Sequence, residues 1–193
     1  ACSKQNVKAF LNTDSFFTSN SINNLYLGSY SLSKKAFRDL CFTSMCTSKL
    51  QFLNLRLEHL YGPNDNSSKF IPWVIRSLSS NVHSLDLTSG IQKRDFIHIN
   101  DATSAILLLL RSLDELPLGF TEIGLGTGEM ISIREFVEYA HSIIKSTTQL
   151  CFGSIPMRPH EQLHSCADTS ILRDLGWSPQ VDVQSGIRSL LIS

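Results

Sequence analysis

The sequence predicts an α/β protein built on a parallel sheet, and three observations carry that reading. Apolar runs of strand length alternate with stretches of helical spacing, the pattern of a sheet whose strands are joined by helical crossovers. Hydrophobic residues make up 42% of the 193 and charged residues 18%, enough apolar surface to bury a substantial core. No segment repeats and none is of low complexity, so a solenoid or a disordered chain is not expected.

In chain order, "VKAFLN" (7–12) reads as a buried strand. A helical stretch follows from Tyr30 to Lys49, with Ala36, Phe37, Leu40, Cys41 and Met45 at apolar spacings. "FLNLRL" (52–57) is the next strand, and it runs into "YGPND", a strong turn signal. "KFIPWVIRSL" (69–78) is a short helix opened near Pro72, and "RDFIHI" (94–99) a short strand. "NDATSAILLLLRSL" (100–113) offers Asn or Asp as the N-cap of an apolar helix. "FTEIGLG" (120–126) is a strand entering a glycine turn. "SIREFVEYAHSIIK" (132–145) opens with Ser132 three residues before Glu135, a capping box. Two helices are expected in the tail, "DTSILRDLG" (168–176) and "QSGIRSLL" (184–191), split by "WSP".

Several function classes are disfavoured. Seventeen basic and seventeen acidic side chains cancel, so no basic stripe supports sequence-independent nucleic-acid binding. Five cysteines (Cys2, Cys41, Cys46, Cys151, Cys166) form no C-x-x-C pair, so neither a disulfide framework nor a zinc site follows. His98, His141, His160 and His164 lack metal-ligand spacing. "ACSKQNVKAF" has no charged-then-apolar signal pattern, and "AILLLL" (105–110) is far too short to span a membrane. A cytoplasmic protein is expected.

The chemistry-bearing candidate is "YSLSKKAFRDL" (30–40). On a helix, Tyr30 and Lys34 are i,i+4 neighbours on one face. A free phenol titrates near pH 10, and a cation close to it favours the phenolate, which turns such a pair into a proton-transfer device. Alone, the spacing is equally that of an ordinary amphipathic helix. A dinucleotide-binding sheet would add a strand, a glycine-rich turn and a helix N-terminus for the pyrophosphate, and the sequence holds no such fingerprint. "GLGTGEM" (124–130) has glycines but reads as a tight strand-to-helix turn.

Taken together, six segments resemble the extended short-chain dehydrogenases/reductases that modify nucleotide sugars. They are "FLNTDSFF" (10–17), Tyr30-x-x-x-Lys34, "LRLEHLYGP" (55–63), "SGIQKRDFIHINDAT" (89–103), "EIGLGTGEMISIREF" (122–136) and "MRPHEQLHSCADTSILRDLGW" (157–177), in family order. The resemblance implies a partial Rossmann-like parallel sheet with a small C-terminal substrate-binding lobe. Residues 1–62 and 94–128 would form the C-terminal half of the Rossmann-like domain, and 63–93 and 129–193 the sugar-nucleotide lobe. About three βα units carrying the glycine turn would be missing.

The same resemblance implies the roles. Tyr30 would be the catalytic acid/base, Lys34 would support it and hold the nicotinamide ribose, and Thr13 would hydrogen-bond the substrate oxygen. Arg94 and Arg158 would clamp a diphosphate, Glu161 would hold the nucleoside ribose, and His59 stands where many relatives have an Asn that contacts substrate. Arg56 is expected as a structural partner, and Lys69 as a helix start. The implied activity is reduction of a CDP-4-keto-3,6-dideoxyhexose with NADP as cofactor, NAD being the alternative, and a homodimer is left open. Epimerase or dehydratase chemistry is the sister reading. Dehydratases follow the Thr with Asp-Glu, whereas here Thr13-Asp14 is followed by Ser15. A non-catalytic chain that binds only nucleotide or a partner is the remaining alternative.

Overall fold

The computed structural model describes residues 7–18, 28–45, 49–159 and 161–191. Its central sheet is parallel, in the order β1 (Ala9–Ser15), β2 (Gln51–Leu57), β7 (Gly119–Leu125). Between these strands lie α1 (Gly28–Met45), β3 (His59–Tyr61), α2 (Phe70–Ser79), β4 (Ser84–Leu87), β5 (Lys93–Arg94), β6 (Phe96–His98) and α3 (Ile99–Arg111). After β7 come β8 (Ile131–Ser132), α4 (Ile133–Ile144), β9 (Gln149–Phe152), β10 (His164–Ser165), α5 (Ser170–Asp174) and α6 (Val183–Ser189). Among the described residues β3 pairs with β6, β4 with β9 and β10 with β5 in parallel, and only β5–β8 is antiparallel. The α/β class with parallel pairing is as the sequence predicts.

Two cores hold these layers. Leu53, Leu55, Ile123 and Leu125 of the central sheet pack against Ala105 and Leu109 of α3, with Leu172 and Trp177 reaching back from the tail. The second core joins Val74 and Leu78 of α2, Leu85 and Leu87 of β4, Phe136 and Val137 of α4, and Ile187 of α6. β2 is buried along both faces over most of its length, as expected of the strand inside a parallel sheet. β1 and β7 each have a hydrogen-bonded neighbour on one side only, which makes them the sheet edges among the described residues.

Local signals explain most element ends. In the "YGPND" turn Asn64 takes a left-handed φ of 62°, a conformation Asn tolerates. The capping box forms, with Ser132 Oγ accepting from Glu135 N and Glu135 accepting from Ser132 N. α2 begins at Phe70, with Pro72 in its first turn where no backbone donor is needed.

Two expectations are corrected. The cap of α3 is neither Asn100 nor Asp101 but His98, whose Nδ1 accepts from Asn100 N at 3.3 Å. Accepting at Nδ1 leaves the proton on Nε2, which faces Ser189 Oγ at 3.1 Å. Asp101 is buried one step further in and accepts from Gln180 N and Val181 N, pinning the tail to the helix. The run 94–99 is not one strand. It divides at Asp95, and β5 and β6 pair with different strands.

Cys41, Cys151 and Cys166 are free thiols, while Cys2, Cys46 and His160 lie outside the described residues. Among the described residues no helix is long and apolar enough to cross a membrane, and no three His, Cys, Asp or Glu side chains cluster as metal ligands.

Candidate functional site

β1, β2 and β7 run in one direction, so their C-terminal ends open together, where ligands bind in open parallel sheets. Thr13, Glu58 and the "GLGTG" turn all lie at that end. Alternation along β1 puts Phe10, Asn12 and Asp14 on one face and Thr13 on the other. Phe10 stacks on Phe52 at 5.2 Å and Phe52 on Phe120 at 5.5 Å, forming an aromatic row across the sheet. Phe37 and Phe42 of α1 pack onto that row, which places α1 over this face.

The structure joins Lys34, beside Tyr30, to the backbone of Thr13. Lys34 Nζ lies 6.0 Å from the Tyr30 ring centroid and donates to the Thr13 carbonyl at 2.6 Å. One ammonium thus ties the phenol-bearing helix to the strand end. Tyr30 is 44% exposed, so its ring is open to a ligand. The ammonium and phenol suit the ribose hydroxyls of a nicotinamide dinucleotide. The chain has no glycine-rich turn for the pyrophosphate, so its residues fit that end of the cofactor only.

A second group gathers behind Thr13. Phe16 follows β1 and stacks on the His59 ring at 4.3 Å. Burial pushes the His59 imidazole down to about 3, with the nearby Arg94 charge adding to the effect, so it is neutral. Its Nδ1 is buried and has no partner. Arg94 is 6% exposed and pairs with Glu161 Oε1 at 3.4 Å, which unites two of the predicted ligand residues. Arg158 lies on the exposed stretch before Glu161, its carbonyl accepting from Glu161 N. Arg56 pairs with Glu122 at 2.9 Å, a structural partner as expected, and Lys69 pairs with Asp65.

Two carboxylates here, Asp95 and Glu58, were not singled out in the sequence. Asp95 is fully buried and accepts from Thr127 N, Thr127 Oγ1, Gly128 N and Ala167 N, fastening the turn after β7 to the "RDF" segment. Gly126 sits so close to Asp95 and Ala167, and Gly124 to the Asp168 backbone, that neither has room for a Cβ. This is the structural use of the glycines in "GLGTG". Glu58 is 5% exposed and accepts a short hydrogen bond from Ser165 Oγ. Desolvation pushes its carboxyl up to about 7, with the Asp95 charge reinforcing it and the Ser165 hydrogen bond opposing.

The Glu58 shift fixes the sign of a pH effect. The folded protein holds this proton up to about pH 7, whereas an unfolded carboxyl releases it near 4.5. Stability from this group is therefore complete below 4.5 and is lost as pH rises through 7, by about 3 kcal/mol in all. Glu58→Gln keeps the shape and removes the ionisation. Its melting temperature relative to the parent should climb steadily between pH 4.5 and 8. An equal difference at both ends would show that Glu58 does not ionise on unfolding.

Comparison with known proteins follows the same geometry. Residues 2–123 match the NAD dependent epimerase/dehydratase family. The chain belongs to that family. It is 35% identical to the CDP-abequose synthase of Salmonella typhimurium over 190 residues, covering 97% of this chain and 63% of that protein. It is 24% identical to the GDP-L-fucose synthase of Escherichia coli, covering 83% of this chain and 54% of that one. The chain thus spans less than two thirds of the length of the curated relatives it matches. Among solved structures it superposes on RMD from Pseudomonas aeruginosa complexed with NADPH with a TM-score of 0.79 at 22% identity, covering 95% of this chain and 65% of that one. With the UDP-glucose 4-epimerase of Thermotoga maritima the TM-score is 0.82 at 16% identity, covering 99% and 64%. These likenesses establish the Rossmann-like fold of the epimerase/dehydratase family member described here.

Proposed function

We propose that this chain is the catalytic and substrate-binding part of a nucleotide-sugar reductase that converts a CDP-4-keto-3,6-dideoxyhexose to a CDP-abequose-type product. The observation that carries the reading is the Lys34 bond to the Thr13 carbonyl, which sets the Tyr30-bearing helix at the C-terminal end of β1. The 35% identity to CDP-abequose synthase supports the choice of sugar. Residues 1–62 and 94–128 serve the cofactor side and 63–93 and 129–193 the sugar-nucleotide side. The two cores follow this division in the main, with Leu172 and Trp177 crossing into the first and Tyr61 and Phe96 into the second.

Bound NADPH supplies a hydride to the sugar ketone. Tyr30 delivers the proton that the developing alkoxide requires, and Lys34 stands beside the phenol and holds its helix to the strand end. The Thr13 hydroxyl donates to the same sugar oxygen. Arg94 holds the diphosphate through its guanidinium, with Arg158 alongside, and Glu161 turns to the nucleoside ribose. His59, held neutral, presents one ring N–H to the sugar where relatives use an amide.

Asp14 favours reduction over dehydration. It has side-chain exposure of 0% and accepts from Ser15 N, Thr18 Oγ1 and Asn54 Nδ2, which leaves the carboxylate committed to the interior rather than available as an acid for water elimination. The redox balance tests this choice. A reductase consumes one NADPH per sugar, whereas an epimerase or dehydratase returns its cofactor unchanged. Sugar conversion without net NADPH oxidation would replace the reductase reading.

A further inference from the structure

We infer that Arg38 is a positioning residue, anchoring α1 to a buried carboxylate so that Tyr30 and Lys34 stand at a fixed height over Thr13. This rests on the site reading proposed above. α1 carries the chemistry, yet none of its eighteen residues is buried. Leu32 and Leu40 are 67% and 65% exposed, so apolar packing does not fix how the helix sits. It has no acidic residue in its first turn and no basic residue in its last, so charge at its ends does not hold it either. The aromatic contacts of Phe37 and Phe42 lie in its C-terminal half and tolerate sliding, because dispersion is weakly directional.

Arg38 is different. It lies four residues beyond Lys34 and eight beyond Tyr30, on the same side of the helix. Its side chain is 17% exposed, with NH1 3.2 Å from Thr18 Oγ1 and 3.9 Å from Asp14 Oδ2. The other edge of the guanidinium meets Asp39 Oδ1 through Nε and NH2, and Asp39 is also paired with Lys35 at 2.6 Å. Asp14 is held in turn by Asn54 Nδ2, whose Oδ1 accepts from Asn12. A planar fork thereby connects α1 through Asp14 to β1 and β2. Asp14 is the residue after Thr13, so the anchor and the site share one strand end. Lys34 bonds the Thr13 carbonyl one turn of helix away. Among the described residues, loss of the anchor leaves the Lys34 bond as the directional contact that sets the distance between phenol and substrate, and misplacement of about 1 Å at a reacting centre costs roughly a hundredfold in rate.

The test uses Arg38→Met and Arg38→Lys in the chain completed at its N-terminus with the remainder of the Salmonella relative. Arg38→Met should lower kcat roughly a hundredfold while KM for the sugar nucleotide changes little, because Arg94 and Glu161 are untouched. Arg38→Lys, able to reach only one partner, should recover part of the loss. Amide hydrogen exchange in the completed chain gives a readout independent of turnover: protection over 28–45 should fall in Arg38→Met and that of β2 and β7 should hold. If kcat stays within twofold of the parent, or if exchange rises equally across β2 and β7, Arg38 is not a positioning residue. Should Arg38→Met fail to fold, the same comparison with Arg38→Lys decides the matter. If Tyr30→Phe retains full activity the site reading itself fails and the catalytic role of the anchor goes with it, while the exchange pattern still reports whether Arg38 seats the helix.

Discussion

Tyr30→Phe, made in the N-terminally completed enzyme, should lower kcat by about a hundred- to ten-thousandfold with little change in KM. The range is that of removing a positioned general acid. The substitution deletes one oxygen and keeps the ring, so the Lys34 ammonium retains its aromatic neighbour 6.0 Å away and its bond to the Thr13 carbonyl. At 44% exposure the ring takes little part in core packing, so the melting temperature should not move. Lys34→Met should act differently. It removes the strand-end contact and the proposed ribose ligand together, and should weaken NADPH binding as well as turnover. A Tyr30→Phe enzyme within tenfold of the parent would assign the proton to another group.

The second large effect concerns the 193 residues by themselves. They should show no NADPH-dependent turnover and no tight NADPH binding. Most affinity for a dinucleotide comes from its pyrophosphate, seated on a helix N-terminus after a glycine-rich turn, and this sequence contains no such turn. Tyr30, Lys34 and Thr13 then have no cofactor held against them. The free side of β1 adds a physical liability. Among the described residues no strand pairs with its outer N–H and C=O groups, and Phe10 begins an aromatic row that reaches this edge. Poor solubility of the isolated chain is therefore expected, relieved when the missing strands are supplied. Robust NADPH oxidation by the isolated chain would overturn this view, because its cofactor would then be held by other means.

The parts of this protein that could be read from its sequence are those fixed by local periodicity. α3, α4, β2 and β7 are long enough for apolar spacing to distinguish helix from strand, and the Ser132–Glu135 box carries its own hydrogen-bond logic. The strands that escaped are short: β3, β8, β9 and β10 span two to four residues, within which no period can be recognised. β4 alternates exposed and buried along "SLDL", a signal present but brief. The cap of α3 was misassigned because Asn and Asp are the usual N-caps, while here the tail claims Asp101 and His98 takes the cap.

The site divides in the same way. Tyr30 and Lys34 were legible because one helix turn joins them. Asp95, Glu58 with Ser165, and Asp14 with Arg38 were not, since each partnership spans dozens of residues or crosses between elements. Nothing local marks Glu58 as a carboxyl held near neutrality. Only the closing of β5 and β10 around it does so.

The central claim is hydride transfer to a nucleotide-bound 4-keto sugar at the Tyr30 site, and the most direct measurement follows the hydride. The completed enzyme would be incubated with a CDP-4-keto-3,6-dideoxyhexose and NADPH carrying deuterium at the nicotinamide C4, and the sugar product analysed by mass spectrometry and NMR. With both C4 hydrogens of the nicotinamide deuterated, the account predicts one deuterium per product at sugar C4, with equal NADPH consumed and labelled product forming at least about a hundredfold more slowly when Tyr30→Phe is used. Product formed without deuterium at C4 would contradict it.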